Sequence, residues 1–291
     1  MESSRISKGI VQCIVESAET CLAPNGERHP VVSLEKIAYI ADSQRISARE
    51  VEITALKQGI IPQRYLRNIG TIGLDGQIKL LQATVAVVGL GGLGGTIVEL
   101  LARQGVGHLT IIDKDYFTEQ NLNRQIMSTE SNLGEYKTTV AVKRAREINS
   151  AITVTAFLEK LTRENAQKLL NGAKVVADGL DNLPSRLAVE HACRCLAIPY
   201  VYGTIAGFSG QLMTIFPQDV GLSSIYGSSN NIPEQGIETK IGNPSAIPAM
   251  IAALEVQEVV KIITGVGIPV RNQILLVDAR EFTIDRIELR R

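Results

Sequence analysis

Two cations and a carboxylate, Arg124, Lys137 and Asp181, are the side chains of this chain whose types could carry out one reaction together. They suit a nucleotidyl transfer. Pyrophosphate leaving ATP carries dense negative charge, which an arginine, a lysine and a carboxylate-held Mg2+ can neutralise. Taken singly, each has a plainer reading. An Arg or Lys usually rests in solvent, and an Asp-Asn pair before Leu183-Pro184 suits a helix N-cap. Their joint placement argues otherwise. Arg124 lies in Asn121-Leu122-Asn123-Arg124-Gln125 after a predicted second strand, Lys137 opens a helix near Gly134, and Asp181-Asn182 follows a predicted fourth strand. Ligands of open α/β sheets bind at such strand ends.

A glycine loop supplies the place where a nucleotide would lie. The β-branched run Thr84–Val88 predicts a buried parallel strand, and Gly89, Gly91 and Gly94 form G-x-G-x-x-G directly after it. Gly89 permits the tight turn, Gly91 lets backbone approach a phosphate, and Gly94 lets helix pack on strand. The helix expected over 92–104 aims its first amides at an anion. The next strand, 108–112, ends in Asp113, placed to grip ribose hydroxyls. The phosphate-loop pattern G-x-x-x-x-G-K-[ST] is absent from the sequence.

The elements that must hold these residues follow an alternating pattern. Strands are expected at 84–88, 108–112, 152–157, 174–178 and 199–203, with helices near 92–104, 134–149, 162–171 and 183–197. That succession implies a Rossmann-like, doubly wound, mainly parallel sheet with helices on both faces. The runs 211–216, 273–277 and 282–289 read as an antiparallel far side. Residues 1–60 read as a helical prelude of three short helices without strands, and 61–291 as the nucleotide-binding domain. Between the later strands, 217–244 is rich in Gly, Ser and Asn with little periodicity, which marks a functional crossover loop. The apolar segment 246–263 carries Glu255, Gln257, Glu258 and Lys261, so it reads as a helix inside the protein or at a subunit interface, not a membrane span.

Composition narrows the class further. The 291 residues carry 30 basic and 30 acidic side chains, so bulk charge attracts neither nucleic acid nor a membrane surface. No secretory signal is evident, and a reducing cytoplasm is the expected location. Cys13, Cys21, Cys193 and Cys195 form no C-x-x-C pair, so no structural zinc is expected.

The segment GLDGQIKLLQATVAVVGLGGLGG, with IIDKD, NLNRQ, LGEYK and GLDN, closely resembles the ubiquitin-activating-enzyme-like adenylyltransferases, the MoeB/ThiF/HesA group, over roughly Arg64 to Leu289. The resemblance implies adenylation, with ATP, of the C-terminal glycine of a ubiquitin-like sulfur-carrier protein ending in Gly-Gly, for molybdopterin, tungsten-cofactor or thiamine synthesis. It implies that Gly91 and Gly92 contact the ATP phosphates and Asp113 the ribose, with Gly89, Gly94 and Asn182 completing the cofactor site. Asn121, Arg124 and Gln125 would hold the phosphates beside Lys137, and Asp181 would hold Mg2+. Arg64-Tyr65-Leu66-Arg67 matches the group's R-Y-x-R motif, so Arg67 would reach the partner subunit's ATP in a homodimer.

Two departures accompany the resemblance. The zinc cysteines of the MoeB type are missing, the first pair being replaced by Gly221-Leu222-Ser223-Ser224. The loop cysteine used for thioester or persulfide chemistry is also missing, since Glu238-Thr239-Lys240 holds none. Cys193 and Cys195 fall on a different element and read as ordinary core residues. Adenylation is therefore expected without covalent sulfur chemistry on this chain. The alternatives are an NAD-dependent oxidoreductase, an ATP-dependent tRNA-modifying dehydratase and a non-catalytic nucleotide- or carrier-binding protein.

Overall fold

The computed structural model describes residues 2–22, 26–227 and 238–289. The N-terminal section holds α1 (Glu2–Glu16), β1 (Glu19–Leu22), β2 (Arg28–Val32), α2 (Leu34–Gln44), α3 (Ala48–Lys57) and β3 (Ile61–Pro62). The expected helices are present, and Ser47 and Glu50 close the capping box that starts α3. A three-stranded sheet in the order β1-β2-β3 accompanies them, which the sequence reading lacked. These strands are two to five residues long, too short to show a period of two. Ile14, Val32, Ile37, Ile40, Val51 and Ala55 form the core of this section.

The main domain follows as α4 (Leu66–Gln82), β4 (Thr84–Val88), α5 (Gly92–Gln104), β5 (His108–Ile112), α6 (Lys137–Ile148), β6 (Thr153–Phe157), α7 (Ala166–Leu170), β7 (Val175–Asp178), α8 (Leu183–Leu196), β8 (Tyr200–Ala206) and β9 (Ser209–Ile215). It ends with α9 (Ser223–Tyr226), α10 (Glu238–Ile241), α11 (Ala246–Thr264), β10 (Gln273–Asp278) and β11 (Thr283–Glu288). The sheet order is β11-β10-β9-β8-β7-β4-β5-β6. Strands β4 to β8 pair in parallel, and β9, β10 and β11 add the antiparallel side. The order reverses between β4 and its two neighbours, the switch point at which such sheets bind ligands.

Alternate residues of β4 serve opposite layers. Val85 and Val87 pack with α5, α6 and α11, while Ala86 and Val88 pack with α7 and α8. Helix α11 is buried within its own chain, and its charges go in with it. Glu255 and Glu258 are almost fully buried, and Glu258 accepts the Thr214 hydroxyl at 2.6 Å and the Val270 N–H at 2.7 Å. No helix among the described residues is long and apolar enough to cross a membrane. The crossover segment, expected to lack regular structure, contains the two short helices α9 and α10; residues 228–237 of it lie outside the described set.

The N-terminal section is tied to the main domain by a buried polar cluster. Tyr65 donates to Glu52 at 3.2 Å and accepts from Asn149 Nδ2 at 2.8 Å, while Arg64 Nε stands 3.4 Å from the Glu52 carboxylate and also bonds Asn149. Burial pushes the Glu52 carboxyl up to about 7 from 4.5, against the pull of Arg64 and the Tyr65 hydroxyl. Between those two values the folded chain holds a proton that the unfolded chain releases. Stability from this group is therefore lost as pH rises through that window and levels off above it. Between pH 5 and pH 8, wild type should lose roughly 2–3 kcal/mol more unfolding free energy than Glu52→Gln, as denaturant titration will show. Equal losses in the two proteins would contradict this assignment.

Candidate active site

In-register strands bring three loops to one point. Val88 pairs with Ile112 on one side and Asp178 on the other, so β4, β5 and β7 end level. The hydrogen-bond ladder continues into the loops: Gly89 donates to Ile112 O at 2.8 Å and Gly179 donates to Val88 O at 2.7 Å. Gly89 sits at φ +86°, a conformation that L side chains rarely adopt. A Cβ on Gly94 would fall 1.8 Å from Gly89 O, and one on Gly179 would fall 2.2 Å from the same oxygen. Gly91 differs, because a Cβ there would meet nothing nearer than Gly179 O at 3.9 Å. The space above Gly91 is open, and α5 begins beside it with no side-chain cap on its amides.

A pocket of about 180 Å3 lies over this cradle, lined by Gly91, Gly92, Asp113, Gln125 and Lys137 among others. Asp113 accepts the Leu90 N–H at 2.6 Å and the Asp115 N–H at 2.7 Å, which fixes its carboxylate at the pocket wall. Burial raises its pKa, while the Lys137 charge and these two donors pull it down. Lys137 is buried, with Nζ 3.8 Å from Asp115 Oδ2. Gln125 is buried beside Gly91, and its Oε1 has no hydrogen-bond partner among the described residues.

A wider cleft of about 1060 Å3 adjoins the pocket. Arg124, Asp181 and Asn182 line both spaces. Arg124 donates to Gln120 O at 3.0 Å and Asn123 Oδ1 at 2.8 Å. Asn182, not Asp181, caps α8: its Oδ1 accepts the Ser185 N–H at 3.0 Å. Asp181 is exposed and, among the described residues, accepts only the Asn182 Nδ2 at 3.1 Å. The cleft is roofed by the crossover segment, where Gly207 N–H donates to Gly242 O at 2.8 Å and Asn123 Nδ2 to Asn243 O at 3.2 Å.

The comparisons with known proteins agree with this architecture. The ThiF family model matches residues 65–291. The chain belongs to the ThiF family. One relative, a sulfur carrier protein adenylyltransferase of Thermus thermophilus, is 32% identical over 81% of this chain and 86% of its own length. The sulfur carrier protein ThiS adenylyltransferase of Escherichia coli is 33% identical over 78% of this chain and 91% of its own. Among solved structures, E. coli MccB with AMPCPP and MccA superposes with TM-score 0.69 at 21% identity, covering 89% of this chain and 80% of that one, a likeness of fold. E. coli tRNA N6-threonylcarbamoyladenosine dehydratase with ATP gives TM-score 0.59 at 26% identity over 70% of this chain and 94% of that one.

Within this ThiF-family frame, three of the expected site residues stand apart from the pocket. Gly94 serves the crossing with Gly89. Asn121 turns inward, its Oδ1 accepting the Thr118 N–H at 2.9 Å and hydroxyl at 3.1 Å, so it shapes the loop that carries Arg124. Arg67 is exposed on the first turn of α4 and lines neither space. Cys193 is buried, and burial pushes its thiol up from 9.0. Cys195, expected in the core, is exposed instead, with Sγ 3.8 Å from His191 Nε2. Gly221 to Ser224, where the resemblance sets the missing first zinc pair, are held by side chains of other types. Glu190 accepts the Leu222 N–H at 3.0 Å and pairs with Arg194 at 2.7 Å, while Asp219 pairs with Arg271 at 2.6 Å.

One polar group behind the pocket was not anticipated. Asp178, Arg186, Tyr200 and Glu255 are buried together beneath Gly179. Arg186 Nε stands 3.1 Å from Asp178 Oδ2, which also accepts the Tyr200 hydroxyl at 2.6 Å. Burial drives the Glu255 carboxyl well up, and the Asp178 charge adds to it. A charged residue closing the apolar run Val175-Val176-Ala177 was the available signal.

The glycines permit a clean separation of roles. Gly91→Ala should fold with a melting temperature within about 3 °C of wild type, because its new methyl meets only ordinary contacts, and it should lose nucleotide-induced stabilisation. Gly94→Ala should yield little folded protein, since backbone must move to admit the methyl. Thermal melts with and without nucleotide distinguish the two, and a Gly91→Ala chain stabilised as fully as wild type would contradict this assignment.

Proposed function

We propose that this chain uses ATP to adenylate the C-terminal glycine carboxylate of a ubiquitin-like sulfur-carrier protein, for sulfur transfer in cofactor biosynthesis of the molybdopterin, tungsten-cofactor or thiamine type. The observation that carries this reading is the gathering of Arg124, Lys137 and Asp181 around the glycine cradle, with a far larger cleft opening beside it. The small pocket suits the nucleotide's ribose and phosphates. The cleft suits an extended acyl tail.

In the reaction, the carrier carboxylate attacks the α-phosphorus of ATP, forming an acyl-adenylate and releasing pyrophosphate. A carboxylate is already ionised at neutral pH, so the chain needs no general base, only positioning and charge. Asp113 grips the ribose from a carboxylate already fixed by two backbone amides. The open amides at Gly91 and Gly92 receive phosphate oxygens, and Gln125 reaches the same space. Arg124 and Lys137 take up the charge that develops on the leaving pyrophosphate. Asp181 has the donor chemistry for Mg2+, being an exposed carboxylate with one oxygen uncommitted among the described residues, and Mg2+ typically takes one or two carboxylates alongside substrate phosphates. Bound there with ATP, Mg2+ would supply further neutralisation of the phosphates.

Arg67 fits a role in trans. It is exposed and has no hydrogen bond or ion pair among the described residues. Most of the apolar surface of α11 is consumed inside its own chain, so a homodimer surface would use what stays exposed, such as Met250 near the start of α11 and Ile126 beside Gly95 of α5.

Two experiments test this function. Arg124→Ala and Asp181→Ala should each lower carrier-dependent ATP–pyrophosphate exchange by on the order of a hundredfold, with folding retained. Near-normal exchange in both variants would place the active site elsewhere, and wild-type stabilisation by NAD but not ATP would favour an oxidoreductase. Mixing Arg67→Ala chains with Asp181→Ala chains should restore about a quarter of wild-type activity, because half of the dimers are then mixed and each has one complete site. No recovery, with subunit exchange confirmed by a tagged chain, would confine Arg67 to its own subunit.

A further inference from the structure

We propose that the buried Asp178–Arg186 pair is a positioning device that aims Asp181 at the nucleotide; this rests on the adenylation reading above. Both polar groups of Leu180, the residue before Asp181, are held by the pair. Its N–H donates to Asp178 Oδ1 at 2.8 Å, and its carbonyl accepts from Arg186 at 2.6 Å. On the far side, Asn182 is fixed as the N-cap of α8. Asp181 itself is exposed and among the described residues receives one bond, from its neighbour Asn182, so its direction is set by the backbone on either side of it.

Arg186 does more than brace one turn. It also donates to Gly203 O at 3.1 Å and Thr204 Oγ1 at 3.1 Å, linking the end of β8 to the end of β7. Arg186, Thr204, Leu180 and Asp181 all line the small pocket, so a shift of the guanidinium is transmitted to the wall that faces the nucleotide. The pair is itself pinned from behind. Tyr200 donates to Asp178, and the Asp178 N–H points to Glu255 at 3.3 Å. A buried ion pair is a poor device for stability alone, because apolar replacements are often neutral or better. A planar fork that joins a carboxylate, two carbonyls and a hydroxyl fixes geometry, which is what a metal-facing carboxylate requires.

The test is calorimetric titration of ATP, with and without MgCl2, into wild type, Asp181→Ala, Arg186→Lys and the neutral pair Asp178→Asn/Arg186→Gln. Circular dichroism and a cooperative melt establish that each is folded. Metal-free ATP affinity should stay within about threefold of wild type, while the tightening produced by Mg2+ should fall on the order of tenfold in the neutral pair, approaching Asp181→Ala. Arg186→Lys should fall between, since one ammonium cannot hold all of the acceptors. Folded variants with the full Mg2+ effect overturn the proposal, as does an equal loss of metal-free and metal-bound affinity, which would make Arg186 a direct nucleotide contact. Should the neutral pair fail to fold, Tyr200→Phe leaves both charges in place and should weaken the Mg2+ effect a few-fold; an unchanged effect there counts against the proposal. A wild-type chain that binds no ATP under either condition refutes the adenylation reading itself, whereas wild-type binding with unaltered variants refutes only the positioning role.

Discussion

The close crossing of Gly89, Gly94 and Gly179 is the constraint on which the site depends. The carbonyl oxygen of Gly89 lies where a side chain on either of the other two residues would have to go. Three backbones can meet there only without Cβ atoms, and their meeting sets how deeply α5 seats against β4 and β7. Because β4, β5 and β7 end in register, the loops that carry the glycine turn, Asp113 and Asp181 all leave the sheet at one level. Shifting one strand by a residue would invert its faces and scatter the site.

Charge is distributed in two tiers around this crossing. The front tier, Arg124, Lys137, Asp113 and Asp181, borders the two open spaces. The rear tier, Asp178, Arg186, Tyr200 and Glu255, is buried, with only Arg186 of the four reaching the pocket wall, and bonds mainly to itself and to backbone. Front groups keep capacity for a ligand, while rear groups spend theirs on the loops that carry the front ones. A second polar cluster, Glu52 with Arg64, Tyr65 and Asn149, does similar work between the N-terminal section and the main domain. There Tyr65 also packs against Gly105, whose absent side chain makes room for the ring.

Much of this was legible in the sequence where local chemistry decides the outcome. The parallel strands show as β-branched runs, and the glycine loop shows because its spacing follows from steric need. Arg124, Lys137 and Asp181 could be placed together because the strand–helix alternation fixes which end of the sheet each loop occupies. The rest depends on distant partners. Glu255 meets Asp178 across 77 positions of chain, so a charge in an apolar helix gave no indication of what it would face. Whether Asp181 or Asn182 caps α8 turns on one residue of phase, and Asn182 takes that role, leaving Asp181 to the pocket. Cys195 and Cys193 differ by two positions on one helix, enough to turn one thiol outward and the other inward. The N-terminal strands pair too briefly to leave a pattern.

On the proposed function, the adenylyl group of ATP is joined to a carrier's terminal carboxylate at the glycine cradle. The most direct measurement is intact-mass spectrometry of a Gly-Gly-ending carrier incubated with this protein and MgATP, alongside the same carrier lacking its last glycine. The full carrier should gain the mass of one adenylyl group, AMP less a water, as pyrophosphate appears, and the shortened carrier should remain unchanged. Release of ADP and phosphate with no adduct, or adduct formation on both carriers alike, would contradict the proposed function.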